Sequence, residues 1–283
     1  MKACELRRAR PLLGTFVEMS AMGSSEALLR DATVRAFLVI EKLQSRLSCH
    51  DAASEVTRLN RDASRQAIAV SRDLWCVMRT AVRLSHQCGG AFDVTAGPAS
   101  SPRHQERAGS FRDIAFLPGR RIRFRCPLRV DLGGIAKGYC VDQAVSELWR
   151  CGVKSGLVNA GGDLRAFGNR SFNVHLRHPV NPGRMLCWAA IRSGAIATSA
   201  RYPNSPCRWA GRLVDGRNKV PMPSGLSVTV LAPSGVIADA LTKVVATSPA
   251  HAAILLMRYR ARAWITTGEG TGIEQRELKK HEK

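Results

Sequence analysis

The sequence predicts a fold of mixed helices and strands, and three observations predict it. Stretches such as "GTFVEMSAM" and "SVTVLAP" alternate or run apolar over strand lengths, other segments repeat apolar residues at helical spacing, and glycine turns punctuate both. With 283 residues and 45% hydrophobic content the chain can bury a substantial core, in one large domain or in two lobes.

"GTFVEMSAM" reads as the first strand, its glycine permitting a close turn. Leu29, Ala36, Ile40, Leu43 and Leu47 then mark one face of a core helix, and Leu74, Val77, Met78, Ala81 and Leu84 mark a second. The segment between them, "SCHDAASEVTRLNRDAS", is polar and rich in capping residues. "SSPRHQERAGS" is the segment expected to be most flexible. "RIRFRCPLRVDL" reads as strands, and after the double glycine Val141, Ala144, Val145 and Leu148 share a helical face. "GLVNAGGDLRAFG" reads as strand, glycine turn, strand, with "FNVHLRH" and "CWAAIRS" continuing the β pattern. "SVTVLAP" is a further strand, "ADALTKVVA" a helix opening after a turn, and "HAAILLMRY" a last helix leading into "AWITTG".

Charge and cysteine content narrow the function. The formal charge of +21 invites nucleic acid as a partner, but the basic residues are scattered arginines, and only 6% of residues are aromatic, which leaves few stacking platforms. A basic solvated surface with a bias towards anionic ligands is the better reading. Nine cysteines include no C-x-x-C pair and the number is odd, so reduced, partly buried thiols are expected rather than a zinc ribbon or a disulfide framework. No apolar run approaches the roughly 18 residues of a membrane span. The first twenty residues lack the apolar core of a secretory signal, which makes the cytoplasm the expected compartment.

Three glycine turns follow apolar stretches: "DLGGIAKG", "NAGGDLRAFG" and "GAFDVTAGP". Singly, each can merely relieve sterics in a tight bend. In the first, however, Lys137 lies in the opening turn of a helix, where backbone N–H groups and the helix dipole favour an anion. Other candidates are weaker. His175 and His178 resemble a metal pair, but an odd separation on a strand sends them to opposite faces. Cys140 is either a reactive thiol or, as burial trends favour, a buried structural cysteine.

The ordered set "RPLLGTFVEM", "SEVTRLN", "GGAFDVTAGP", "VDLGGIAKGYCVDQAV", "GLVNAGGDL", "AIATSARY", "LVDGR" and "SVTVLAPSGVIADAL" resembles the FAD:protein FMN transferases, the ApbE family, over residues 10–268. That extent leaves 1–9 as an N-terminal extension and 269–283 as a charged tail expected to be disordered. The resemblance implies an α+β fold with mixed or antiparallel sheets flanked by helices, two lobes related to the T-fold, and FAD in the cleft between them. It implies Mg²⁺-dependent transfer of FMN from FAD to a Thr or Ser hydroxyl of an acceptor flavoprotein, with AMP released. The alternatives are hydrolysis of FAD to FMN and AMP, or flavin binding without turnover.

Matched motif by motif, the resemblance places Gly133, Gly134, Ala136 and Lys137 at the cofactor, together with Asn159, Gly161, Gly162 and Asp163. Asp93 and Thr95 fall nearby, and Thr198 and Ser199 fall on the flavin side. It assigns the magnesium to the Ala136 carbonyl and Asp239, a carboxylate expected at the start of a helix, where the alternative reading is an ordinary N-cap. An oxygen-ligated divalent ion and N–H donors would stabilise the charge that develops as a pyrophosphate breaks.

Two positions depart from the family's pattern. Lys243 stands one helical turn after Asp239, where the family has a threonine that completes the metal site. Thr242, three residues on, still shares that face as a metal candidate, or the Lys243 ammonium replaces part of the metal's charge. Arg212 stands where the family has a histidine to take the acceptor hydroxyl's proton, and a guanidinium takes none. Asp215 is then the catalytic candidate beside Lys137, with a turn residue as the alternative reading.

Overall fold

The computed structural model describes residues 4–96, 109–181, 183–200, 214–220, 225–269 and 272–278. "SSPRHQERAGS" and Arg212 fall largely or wholly outside them. An antiparallel sheet of eight strands runs in the order β1-β2-β6-β7-β10-β11-β12-β13. Its first hairpin joins β1 (Cys4–Leu12) to β2 (Thr15–Gly23) through Leu13 and Gly14, at φ +56° and +69°. Positive φ at both turn residues gives the twist that a two-residue hairpin needs.

The helix α1 (Glu26–Leu47) buries Leu29, Ala36, Ile40, Leu43 and Leu47, as their spacing predicts. The polar stretch after it holds a short helix, α2 (Glu55–Asp62), which the sequence analysis reads only as capping-rich. Ser54 caps it by accepting from Thr57 N at 2.9 Å, and Val56 and Leu59 anchor it. Next come β3 (Ile68–Ala69) and α3 (Arg72–Gln87), which buries Leu74, Val77, Met78, Ala81 and Leu84. A single 3₁₀ turn over Phe111–Asp113 leads into β4 (Ile114–Leu117), and with β3 and β5 (Arg121–Phe124) it completes a small three-stranded sheet.

The strand expectation for "RIRFRCPLRVDL" holds only as far as Phe124. Beyond Pro127, which donates no backbone hydrogen bond, Val130 has the Asn60 side chain as its partner instead of a neighbouring strand. Asn60 Nδ2 donates to Val130 O at 3.0 Å, and Val130 N donates to Asn60 Oδ1 at 2.8 Å. The helix α4 (Ala136–Arg150) follows, then β6 (Ser155–Ala160) and β7 (Asp163–Phe167). A separate hairpin of β8 (Phe172–Arg177) and β9 (Met185–Ile191) precedes β10 (Gly194–Ala200) and β11 (Leu226–Ala232). The chain continues with α5 (Gly235–Thr247), α6 (Pro249–Arg258), β12 (Arg262–Glu269) and β13 (Gly272–Glu277).

Strand alternation sends side chains to two apolar clusters. One face of the large sheet, with Val17, Val158, Ala197 and Val230, packs on α1, α4 and α5 in a cluster that continues through α3 to the small sheet. On the other face Leu164, Ala166 and Ile196 pack against Val174, Leu176 and Ile191 of the β8–β9 hairpin.

The described parts of the segments read as extension and tail are strands up to Glu277. Residues 4–9 belong to β1, fixed from Cys4↔Gly23 to Leu12↔Thr15 and tied to α1 by Arg10 Nη1 donating to Glu41 at 3.0 Å. Residues 272–277 form β13, which pairs with β12 and is held by Arg262 Nη2 to Glu277 at 2.8 Å. The charges that make these segments look solvated sit on edge strands, where charged side chains also discourage pairing with other chains.

Candidate functional site

The site is built where the first turns of two helices meet the β6–β7 hairpin. Val130 and Leu132 are buried and carry the chain inward, and Asp131 N donates to Val94 O at 2.8 Å, which binds this segment to the loop holding Asp93. Asp131 Oδ1 accepts from Gly133 N at 2.8 Å, and the turn closes into α4. Gly134 is closely packed, and a Cβ there would lie 3.3 Å from the Phe92 ring and 3.4 Å from the Lys243 side chain. The first turn of α4 has neither an acidic residue nor a side-chain cap, and Lys137 is its second residue.

The helices α4 and α5 touch backbone to backbone. A Cβ on Gly138 would lie 2.1 Å from Gly235 O, and one on Gly235 would lie 2.6 Å from Gly138 O, so both positions require glycine. The approach brings Gly138 N to 3.1 Å from Asp239 Oδ2, which accepts its hydrogen bond. Asp142, one turn further along α4, caps α5. Its Oδ1 accepts from Gly235 N at 2.7 Å and from Arg165 Nη1 at 2.7 Å, and its Oδ2 accepts from Val236 N at 2.9 Å. Asp239 therefore does not cap the helix: α5 begins at Gly235, and Asp239 lies in its second turn with a fully buried side chain.

The hairpin presents the second carboxylate. Gly161 and Gly162 hold φ of +64° and +100°, the two positive values that this two-residue turn requires. Asn159 Oδ1 fastens the turn by accepting from Gly162 N at 3.0 Å, while its Nδ2 donates to Glu18 at 3.2 Å. Asp163 begins β7 and faces α4, and its Oδ2 lies 2.6 Å from Lys137 Nζ.

Two buried carboxylates thus face two lysines. Lys243 Nζ pairs with Asp239 Oδ1 and donates to Asp239 O at 3.0 Å. The Asp239 side chain is 1% exposed and that of Asp163 3%, whereas Lys137 keeps 35% and reaches solvent. Burial works against the charges of Asp163, Asp239 and Lys137. For Asp163 burial and the neighbouring Asp239 charge prevail over Lys137 and Lys243, and its carboxyl is pushed up to about 6. For Asp239 burial is outweighed by the ammoniums of Lys243 and Lys137 and by the Gly138 N–H, which hold it below the usual carboxylate range. Burial would depress Lys137, but Asp163 and Asp239 raise it instead.

The other candidates distribute around this centre. Ser199 Oγ and Thr242 Oγ1 lie 2.7 Å apart, and the Thr242 hydroxyl donates to Asp239 O at 2.6 Å. Thr198, on the opposite face of β10, pairs across the sheet with Thr229 at 3.1 Å, so it and Asn159 point away from the carboxylates. Asp93 is spent on its own loop: Oδ1 accepts from Thr95 N at 2.8 Å and from Thr95 Oγ1 at 2.9 Å, and Oδ2 accepts from Phe111 N at 3.3 Å. Asp215 is gripped by Arg217, whose Nε lies 2.9 Å from Oδ1 and whose Nη2 lies 2.5 Å from Oδ2. Those bonds hold its carboxyl below the usual range, which makes it a loop anchor and a weak base. Cys140 is buried and its thiol is pushed up to about 12, chiefly by that burial, so it is the inert structural cysteine.

Two of the expected magnesium ligands, Asp239 and Thr242, are engaged in ways that do not suit a divalent ion. One oxygen of Asp239 is paired with an ammonium and the other accepts a backbone N–H, while the Thr242 hydroxyl donates to Asp239 O and its oxygen accepts from Ser199 Oγ at 2.7 Å. Among the described residues no group of three His, Cys, Asp or Glu is arranged to hold a metal.

The fold is shared with solved ApbE proteins. The structure of flavin transferase ApbE from Vibrio cholerae superposes with a TM-score of 0.81 at 22% identity, covering 98% of this chain and 97% of that one. The ApbE protein of Thermotoga maritima superposes at 0.79, also at 22% identity, covering 97% of each chain. The profile of the ApbE family matches residues 13–265, and the chain belongs to that family.

Curated relatives carry the name FAD:protein FMN transferase. That of Vibrio cholerae is 30% identical over 265 residues, covering 82% of this chain and 78% of the relative. That of Rhodobacter capsulatus is 28% identical over 258 residues, and the chain spans about half (49%) of its length.

Sequence reasoning did not find Gly138, Gly235, Asp142 or Arg165. The two glycines stand inside the quoted motifs, but the need for them arises from a contact 97 residues away along the chain, between Gly138 and Gly235.

Proposed function

We propose that this chain transfers the FMN half of FAD to a Thr or Ser hydroxyl of an acceptor protein and releases AMP. The observation that carries the reading is the meeting of the acid-free first turn of α4, with Lys137 at its solvent edge, and the Gly161–Gly162 hairpin. The dipole of α4 and the Lys137 ammonium favour an anion at that solvent edge, although the first-turn Ala136 N is bonded to Leu132 O and Gly138 N to Asp239. A dinucleotide's bridging phosphates match it.

In the reaction the acceptor oxygen bonds to the FMN phosphorus, the bond from that phosphorus to the bridging oxygen breaks, AMP departs, and the hydroxyl proton passes to water. Lys137 then neutralises the charge that builds on phosphoryl oxygens, while Asp163, which pairs with it, holds the ammonium in place. Gly162 faces open space and leaves room for a ligand to approach the backbone, whereas Gly161 is packed against Thr15. The saturated Asp215 has no role in accepting the hydroxyl proton.

The test is to incubate the purified chain with FAD and an acceptor domain bearing a Thr/Ser flavinylation site. Flavin fluorescence that stays with the acceptor on a denaturing gel, with AMP formed in equal amount, is the expected result. AMP formed with free FMN would instead identify a FAD pyrophosphatase, and bound FAD without AMP a flavin-binding protein.

A further inference from the structure

The two-carboxylate, two-lysine cluster is a complete set of charges. Both Asp163 and Asp239 are buried, the Asp239 charge raises the cost of ionising Asp163, and buried carboxylates persist only when cations lie beside them. Lys137 reaches Asp163 from α4, and Lys243 reaches Asp239 from the next turn of α5. That order along the helix, acid before base at a four-residue spacing, is the favourable one. Gly134 leaves just enough space for the Lys243 side chain to lie along the α4 turn, at 3.4 Å from where a Cβ would be.

We propose that the Lys243 ammonium is a tethered cation that occupies the place of a divalent ion, so that this chain binds its flavin dinucleotide without metal. The inference deepens the flavin reading above and rests on it. Each oxygen of Asp239 already has a cationic or N–H partner, and the Thr242 hydroxyl oxygen accepts from Ser199 while its proton goes to Asp239 O. A divalent ion would have to expel the ammonium from a pocket that leaves the Lys243 side chain 14% exposed. Lys243 thus acts as a positioning residue, fixing positive charge beside Lys137 at the phosphate locus.

Titration calorimetry on the full chain and on Lys243→Thr tests this with two probes, Mn²⁺ alone and FAD in EDTA or in millimolar Mg²⁺. For the wild type we expect no Mn²⁺ site and FAD affinity that agrees within about twofold between EDTA and Mg²⁺. Lys243→Thr should acquire Mn²⁺ binding, lose about tenfold in FAD affinity in EDTA, and recover it on adding Mg²⁺; one point charge at a phosphate is worth about that factor. Recovery by metal separates lost charge from lost structure, because a misfolded variant would not be rescued. Lys243→Met, which cannot ligate a hard cation, should lose affinity without rescue.

A wild-type Mn²⁺ site, or a tenfold fall in its FAD affinity in EDTA, would overturn the tethered cation while leaving the flavin reading intact. Absence of FAD heat in every arm, with the Mn²⁺ results as expected, would overturn the flavin reading and with it the role assigned to the ammonium.

Discussion

At the scale of single residues, the contact that sets the site's dimensions is Gly138 against Gly235. A methyl group at Gly138 would fall 2.1 Å from a carbonyl oxygen, and neither backbone can retreat without separating α4 from α5. Gly138→Ala should therefore lower unfolding free energy by about 3 kcal/mol or prevent folding, the upper end of the overpacking range, as read by urea denaturation. Asp215 predicts the opposite kind of result. Because Arg217 holds its carboxyl low, the pair's contribution is present above the unfolded carboxylate's titration range and is lost as pH falls through the lowered native value. Asp215→Asn should cost no more than about 1 kcal/mol at pH 7, a gap that closes in acid, and should leave FAD affinity within about twofold. A large fall in affinity would return Asp215 to the site.

At the scale of elements, Asp142 joins α4, α5 and β7. Asp142→Ala would strand two N–H groups at the start of α5 and leave the Arg165 guanidinium without its carboxylate, which should cost about 3–5 kcal/mol in urea unfolding. Removing residues 1–9 tests the edge strand. If β1 is structural, as its nine-pair register with β2 implies, truncation should lower the melting temperature by on the order of 10 °C, and an inert extension would leave it unchanged.

Elements are also where the sequence was most and least informative. α1 and α3 were legible because their apolar residues keep helical spacing over several turns, and β6–β7 because a double glycine marks its turn. α2 was hidden because only two of its eight residues, Val56 and Leu59, are apolar and buried. The start of α5 was misplaced because its cap comes from Asp142, on another helix, so no local signal marks Gly235.

At the scale of the whole molecule, one sheet brings together residues far apart in sequence. β7 sets Asp163 opposite α4, β10 sets Ser199 against α5, and the two helices close over that end of the sheet. The motif residues pointed to this centre, but the sequence could not tell that Asp93, Asn159 and Thr198 would be engaged in holding loops and strands. Recognition of bridging phosphates underlies the whole proposal, and it is measured by comparing FAD with riboflavin in titration calorimetry. With Lys137 and the α4 N-terminus supplying the binding energy, FAD should bind at least about 100-fold more tightly than riboflavin, and Lys137→Ala should erase most of that difference. Equal affinity for the two flavins, or a preference for FAD that survives Lys137→Ala, would contradict it.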